Sequence, residues 1–207
     1  MIEIATFINF PINSNCYVVY SQQLKRCVII DPGSEDSSEI ISFIETNGLI
    51  LDYIILTHEH FDHIWSADTL RYKYNSKLIS SRHTSKCLIN PKLNLSVFYN
   101  QIGFSIEPAD ILIEEISFNL MWMGAKIEFL STPGHSKGSI CFIIENKLFT
   151  GDTMIKGIKT VTKLPGSNIL HLQNSLSLIF NQFNLKTEVF PGHNKKFFLE
   201  SYNLLNV

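Results

Sequence analysis

Residues 56–64 read LTHEHFDHI and place His58, His60, Asp62 and His63 within six positions. The 207-residue chain holds seven histidines, so three of them are concentrated in this one segment. In a chain of this composition, a fixed pattern of three His and one Asp arises by chance about 3 × 10⁻⁴ times, far below the usual false-positive rate of short motifs. A lone buried histidine is ordinarily a core residue. Three beside a carboxylate need a shared partner, because buried polar groups must be satisfied. A divalent cation supplies one, and imidazole nitrogen with carboxylate oxygen suits zinc, iron or manganese. The spacing predicts a metal site.

The flanking sequence predicts where that site sits. DYIILT, residues 52–57, is a short apolar run suited to a buried strand, and the cluster lies at its carboxyl end, before a helix starting near Asp62. Rigid strands aim loop side chains in this way on α/β scaffolds. Upstream, β-patterned runs at 2–9, 15–20 and 26–31 end in the turn DPGS. A helix is expected from about Glu35 to Asn47, closed by Gly48. Downstream, KLISS reads as a strand and 82–90 as a short helix, while 91–110 is irregular and aromatic. Strands follow near 118–122, 125–131, 139–144 and 147–150. A helix at about 170–182 puts Leu172, Leu176, Ile179 and Phe183 on one face, and a last strand, TEVF, ends in PGHN. The pattern predicts two sheets packed together with helices outside, in a single domain over 1–207.

Composition excludes several functions. The net charge is −2 and no basic stripe stands out, which argues against nucleic acid as a partner. Residues 4–24 carry no formal charge, yet three asparagines, two glutamines and a proline make them too polar to span a membrane or direct export. A soluble, cytoplasmic protein acting on a small molecule is expected. Cys16, Cys27, Cys87 and Cys141 show no paired spacing, and three of them lie in apolar strand-like runs. Cys16 and Cys27 are placed to face each other across a hairpin but are expected to stay reduced. The metal site is therefore expected to lack thiolate.

Of the other four histidines, two share a setting: His135 in STPGHS and His193 in FPGHN. A Pro-Gly turn at a strand end points the next side chain off the sheet edge. Asp152 in LFTGDT follows an apolar strand and a glycine in the same way. His83 and His171 fall on expected helices and read as surface or core residues. GHSKG at 134–138 matches the serine-hydrolase elbow G-x-S-x-G, but that motif needs a helix after it. Here SICFIIE follows, so Ser136 is expected to bond within its own loop.

Taken in order, H-x-H-x-D-H, then His135, Asp152 and His193, the motifs resemble the metallo-β-lactamase superfamily, from NCYVVY through PGHN. The resemblance implies a four-layer αββα sandwich with a dinuclear centre holding two divalent ions, zinc before iron or manganese. His58, His60 and His135 would hold one metal and Asp62, His63 and His193 the other, with Asp152 bridging. Within the superfamily, TPGHS, FTGDT and PGH resemble the small glyoxalase-II-like hydrolases. True β-lactamases differ at the Asp152 position. The implied chemistry is attack of a metal-bridging hydroxide on an acyl carbon, with Asp62 and Asp152 as catalytic carboxylates. A thiolate of pKa about 8.5 leaves without strong acid help, which favours a thioester over an amide. A mononuclear iron persulfide dioxygenase on the same fold, a hydrolase of another ester or lactone, and a non-catalytic binding protein are the alternatives.

Substrate residues are expected in two places. The loop after Asp152, TMIKGIKTVTKLPGS, carries Lys156, Lys159 and Lys163, basic residues of the kind relatives use to hold carboxylates of a thiol carrier. Trp65 is expected to wall the pocket or to pack in the core. Many relatives have Gly-Gly after the first motif, where this chain has Ile64, Trp65 and Ser66, and GRTDLPG where it has TVTKLPG. Val161 and Lys163 replace the arginine and the aspartate, which leaves the carrier, glutathione or another thiol, open.

Overall fold

Short strands, most of them near-continuously apolar and buried, build one mixed sheet in each of two units of the chain. The computed structural model describes residues 2–114 and 117–203. One unit comprises Met1–Ser80 and Thr84–Leu112, the other Ser81–His83 and Ile113–Val207.

The sheet of the first unit runs β1 (Glu3–Ile8), β2 (Asn15–Ser21), β3 (Arg26–Ile30), β4 (Ile50–Ile55), β5 (Lys77–Ser81) and β6 (Ile111–Ile113), in chain order. The first three strands are antiparallel neighbours, whereas β3–β4 and β4–β5 pair in parallel. Parallel neighbours need crossovers. These are α1 (Ser38–Asn47) and the pair α2 (Phe61–Ile64) and α3 (Ala67–Tyr74). Helix α1 begins three residues later than the sequence suggests. The Asp36 side chain accepts from the Ser38 N–H at 2.8 Å, an Asx-type turn that holds the preceding residues out of the helix. Gly48 closes α1 in the left-handed region, at φ 60°.

Helix α1 buries Ile40 and Ile44 against Cys16, Val18, Cys27, Ile29 and Ile54 of the sheet. Each fully buried isoleucine contributes about 1.5–3 kcal/mol. The β2–β3 register sets Tyr20, not Cys16, opposite Cys27, so the two cysteines do not face each other, and all four are thiols. Burial pushes the Cys27 thiol up to about 12, with Asp52 adding to the shift. Helix α4 (Arg82–Leu88) follows β5. The segment 91–110 contains a one-turn helix, α5 (Ser96–Asn100). Asn94 Nδ2 ties that segment shut by donating to the carbonyls of Leu88 and Phe104.

The second unit orders its strands β12 (Phe197–Phe198), β11 (Glu188–Pro191), β10 (Lys147–Gly151), β9 (Ile140–Ile144), β8 (Ala125–Ser131) and β7 (Ser117–Trp122). Only β10–β11 pair in parallel, joined by α6 (Ile169–Gln182). The Asn168 side chain caps α6 by accepting from the His171 N–H. Leu172, Leu176 and Ile179 pack on Leu130, Cys141, Leu148 and Val189. The alternate residues Phe129, Phe142, Phe149 and Phe190 stack along the other face, with centroids 5.1–5.2 Å apart. The central strands of this sheet are thus apolar and buried on both faces. No helix of the described residues is long and apolar enough to cross a membrane.

Candidate metal centre

Strand β4 ends at Ile55, and the chain then turns through Thr57–His60 into α2, with His60 as its N-cap. This delivers His58, His60, Asp62 and His63, all buried, to the carboxyl end of the sheet of the first unit. The His58 ring lies 4.6 Å from that of His60 and 4.3 Å from that of His63, centroid to centroid.

The hydrogen bonds decide which ring nitrogens face the cluster. Thr57 Oγ1 donates to Asp31 Oδ2 at 2.6 Å, so its oxygen is left to accept from His58 Nδ1 at 3.0 Å. Asp31 Oδ2 also accepts from His63 Nδ1 at 3.0 Å. With Nδ1 acting as donor in both rings, the lone pair sits on Nε2, the tautomer a metal ligand needs. His63 Nε2 lies 3.5 Å from Asp62 Oδ2. That is close to the edge, about 3.3–3.4 Å, of a tetrahedron of ligands each about 2.0–2.1 Å from a central ion.

Asp31 itself was not anticipated. It closes β3, is buried, and holds a φ of 52°, a conformation that costs a non-glycine residue free energy. Its carboxylate also accepts from the Thr57 N–H at 2.8 Å. An acidic residue after an apolar strand and before Pro-Gly was the available signal, the same context that singled out Asp152. Gly33 is a second unanticipated residue, because its Cα lies against the Asp62 carbonyl.

The second unit carries the other three candidates. His135 follows β8, Asp152 follows β10 and His193 follows β11, each one to four residues past a strand. Asp152 Oδ2 lies 3.6 Å from His135 Nε2 and 3.5 Å from His193 Nε2. These separations exceed a hydrogen bond and match ligands sharing a cation. The Val161 carbonyl accepts from His135 Nδ1 at 2.9 Å, which again places the lone pair on Nε2. The backbone of TVTKLPG thus orients His135, while the Val161 side chain is exposed. Thr160 Oγ1 donates to the Asp152 backbone carbonyl at 3.1 Å and ties the loop back to that residue.

The other expected residues divide clearly. Ser136 and Ser139 share a hydroxyl hydrogen bond of 3.0 Å, the Gly138 N–H donates to Ser136 Oγ, and strand β9 follows, so the elbow is absent. His171 is exposed on α6, and His83 is half-buried on α4. Lys159 and Lys163 are exposed, and Lys156 Nζ donates to Ser201 Oγ at 3.1 Å. Trp65 is half-buried in an aromatic cluster, stacked on Phe104 at 4.8 Å and edge-on to Tyr99. It both packs and lines a cleft.

The model of the metallo-β-lactamase superfamily matches residues 9–193. A "Probable metallo-hydrolase" of Bacillus subtilis is 30% identical over 94% of this chain and 96% of its own. Another, of Methanocaldococcus jannaschii, is 33% identical over 87% of each chain. The crystal structure of the BLEG-1 B3 metallo-β-lactamase superposes with a TM-score of 0.88 at 29% identity, covering 96% of this chain and 95% of that one. A di-iron-bound form of TTHA1623 gives 0.80 at 25% identity, over 97% and 99%. The chain belongs to the metallo-β-lactamase superfamily and has its fold, with two mixed sheets. The class it joins is that of the metal-dependent hydrolases.

Proposed function

We propose that the seven residues His58, His60, Asp62, His63, His135, Asp152 and His193 form one dinuclear centre and that the protein, acting as a single functional domain, hydrolyses a thioester in the manner of the small glyoxalase-II-like enzymes. The observation that carries this reading is the hydrogen-bonded Nδ1 of His58, His63 and His135, which commits each ring to present Nε2. The di-iron form of TTHA1623 supports two ions per chain. Zinc is the first choice of metal, with iron or manganese next, because the ligands are nitrogen and oxygen only.

Bound metal supplies an acidified water and positive charge for a developing oxyanion. The chain's own residues do the rest. Asp152 sets the separation of the two ligand groups, and Asp62 orients the attacking water. Asp31 and Thr57 hold two imidazoles in one tautomer. All seven motif positions serve as ligands, so a leaving group that departs unprotonated, a thiolate, fits best. Lys156, Lys159 and Lys163 hold carboxylates of the thiol carrier. Such contacts form in ground and transition states alike. Lys163→Ala should therefore raise KM several-fold to about a hundredfold for an anionic thioester, with kcat little changed.

Elemental analysis with a thioester panel tests the reading. Two metals per chain, thioester turnover, and loss of both in Asp152→Ala are expected. One iron per chain with oxygen consumed on a persulfide would replace it with the dioxygenase. The likeness to BLEG-1 favours a second reading, hydrolysis of a β-lactam ring, which preferential turnover of a chromogenic cephalosporin would establish.

A further inference from the structure

The first unit holds a cleft of about 600 Å³ whose chemistry is divided between two walls. One wall is aromatic, built from Phe10, Trp65 and Tyr99, and the other is acidic, built from Glu35, Asp36 and Glu39. None of the described residues lining it is basic. Phe10 is 75% exposed and Tyr99 44% exposed, an arrangement that costs free energy unless something covers it. The helix dipole of α1 accounts for carboxylates near its first turn. It does not account for aromatic faces lining the same cleft.

The cleft is tied to the ligand segment by hydrogen bonds. Asn9, wholly buried, donates through Nδ2 to Ser14 Oγ at 2.8 Å, to the Asp31 carbonyl at 3.0 Å and to the Asp62 carbonyl at 3.4 Å. Its Oδ1 accepts from the Ser34 N–H at 3.1 Å, and Ser34 Oγ accepts from the Phe10 N–H at 2.9 Å. Trp65 stands two residues beyond the ligand His63. Phe10, Ser34 and Trp65 are thereby held in register with His58–His63. The Asp36 carboxylate, bonded to the Ser38 N–H and hydroxyl, is held below the usual carboxylate range and stays charged at neutral pH.

We infer that this cleft binds the acyl end of the substrate and selects an aromatic group bearing an ammonium, over a neutral or anionic one. An aromatic ring stacks on Trp65 or Tyr99, while the cation meets the carboxylates and the ring faces together. An anion would meet three like charges and no donor cation. This assignment names the substrate class of the hydrolase proposed above and rests on that reading.

The test separates the two. Trp65 and Trp122 are the only tryptophans, so their indole N–H resonances report locally, and Trp65→Phe assigns them. Titration with 2-phenylethylammonium should shift the Trp65 resonance and leave Trp122 unmoved, with a Kd about tenfold below that for phenylacetate. The preference should shrink at high salt. It should fall to within about twofold in Glu35→Gln/Glu39→Gln, which leaves the Asp36 turn intact. Equal or tighter binding of phenylacetate, an unmoved Trp65, or an undiminished preference in the variant overturns the inference. A second arm compares phenylalanyl and N-acetylphenylalanyl thioesters of N-acetylcysteamine, with the free ammonium expected to give about tenfold higher kcat/KM. Turnover of both without preference also overturns it. Selective binding without any turnover upholds the cleft and instead removes the thioester reading.

Discussion

Replacing Gly33 by alanine should disable the metal centre without touching a ligand. The backbone at Gly33 does not lie in the left-handed region, so alanine suffers no conformational penalty there. Its Cβ, however, would fall 1.6 Å from the Asp62 carbonyl oxygen, 2.2 Å from the carbonyl carbon and 2.8 Å from the His63 nitrogen. Real Cβ contacts stay beyond 3.0 Å, so the carbonyl must withdraw by about 1.4 Å. That oxygen also accepts from Ser14 Oγ and Asn9 Nδ2, and withdrawal breaks both bonds. Two hydrogen bonds at about 0.5–1.5 kcal/mol each, with about 1–3 kcal/mol of overpacking, give a destabilisation of about 2–6 kcal/mol. Misplacing ligands by more than an ångström costs about a hundredfold in rate or more. Urea denaturation, elemental analysis and kcat/KM on the same preparation check all three consequences. Gly48→Ala is the control: it sits at φ 60° with nothing within 4 Å, so it should lose about 1 kcal/mol of stability and no metal. A Gly33→Ala protein with full metal content and wild-type turnover would refute the close packing of this loop on the ligand segment.

Asp31→Ala should lower metal affinity about 10–100-fold, because His58 and His63 lose the partner chain that fixes their tautomers; competition with a fluorescent zinc chelator measures it. Ser136→Ala should keep kcat within a few-fold and lose about 1 kcal/mol of stability, whereas a serine nucleophile would lose nearly all activity. The buried Cys27 and Cys141 thiols, each pushed up to about 12, should resist a disulfide reagent at pH 8 until the protein unfolds. Since the unfolded thiols ionise first, near 9.0, their contribution to stability is full below that pH and declines between about 9 and about 12. Alkaline urea titrations read that decline, and stability rising over this window would contradict the burial.

Much of the fold was legible because its elements have short-range causes. The continuous apolar runs in NCYVVY and ICFII, the glycine that stops α1, and the apolar stripe of α6 are each set by neighbours a few positions away. The start of α1 was misjudged because a side-chain turn at Asp36 competes with the first helical turn, and propensity does not register that competition. In 91–110 the structure depends on Asn94 and Ser96 reaching across the loop to the Phe104 carbonyl, contacts with no periodic signature.

The same division holds at the metal centre. Residue type and spacing marked a metal site at His58, His60, Asp62 and His63 and put His135, Asp152 and His193 in like strand-end turns, because coordination chemistry restricts which side chains can serve; the family resemblance joined the seven into one candidate ligand set. Tertiary structure alone decided what holds them. Asp31 reaches His63 from 32 positions away, Val161 offers a backbone carbonyl that any residue would have, and Gly33 matters for the side chain it lacks. Such roles depend on distances between segments far apart in the chain, and a linear pattern carries no record of a distance that only folding creates.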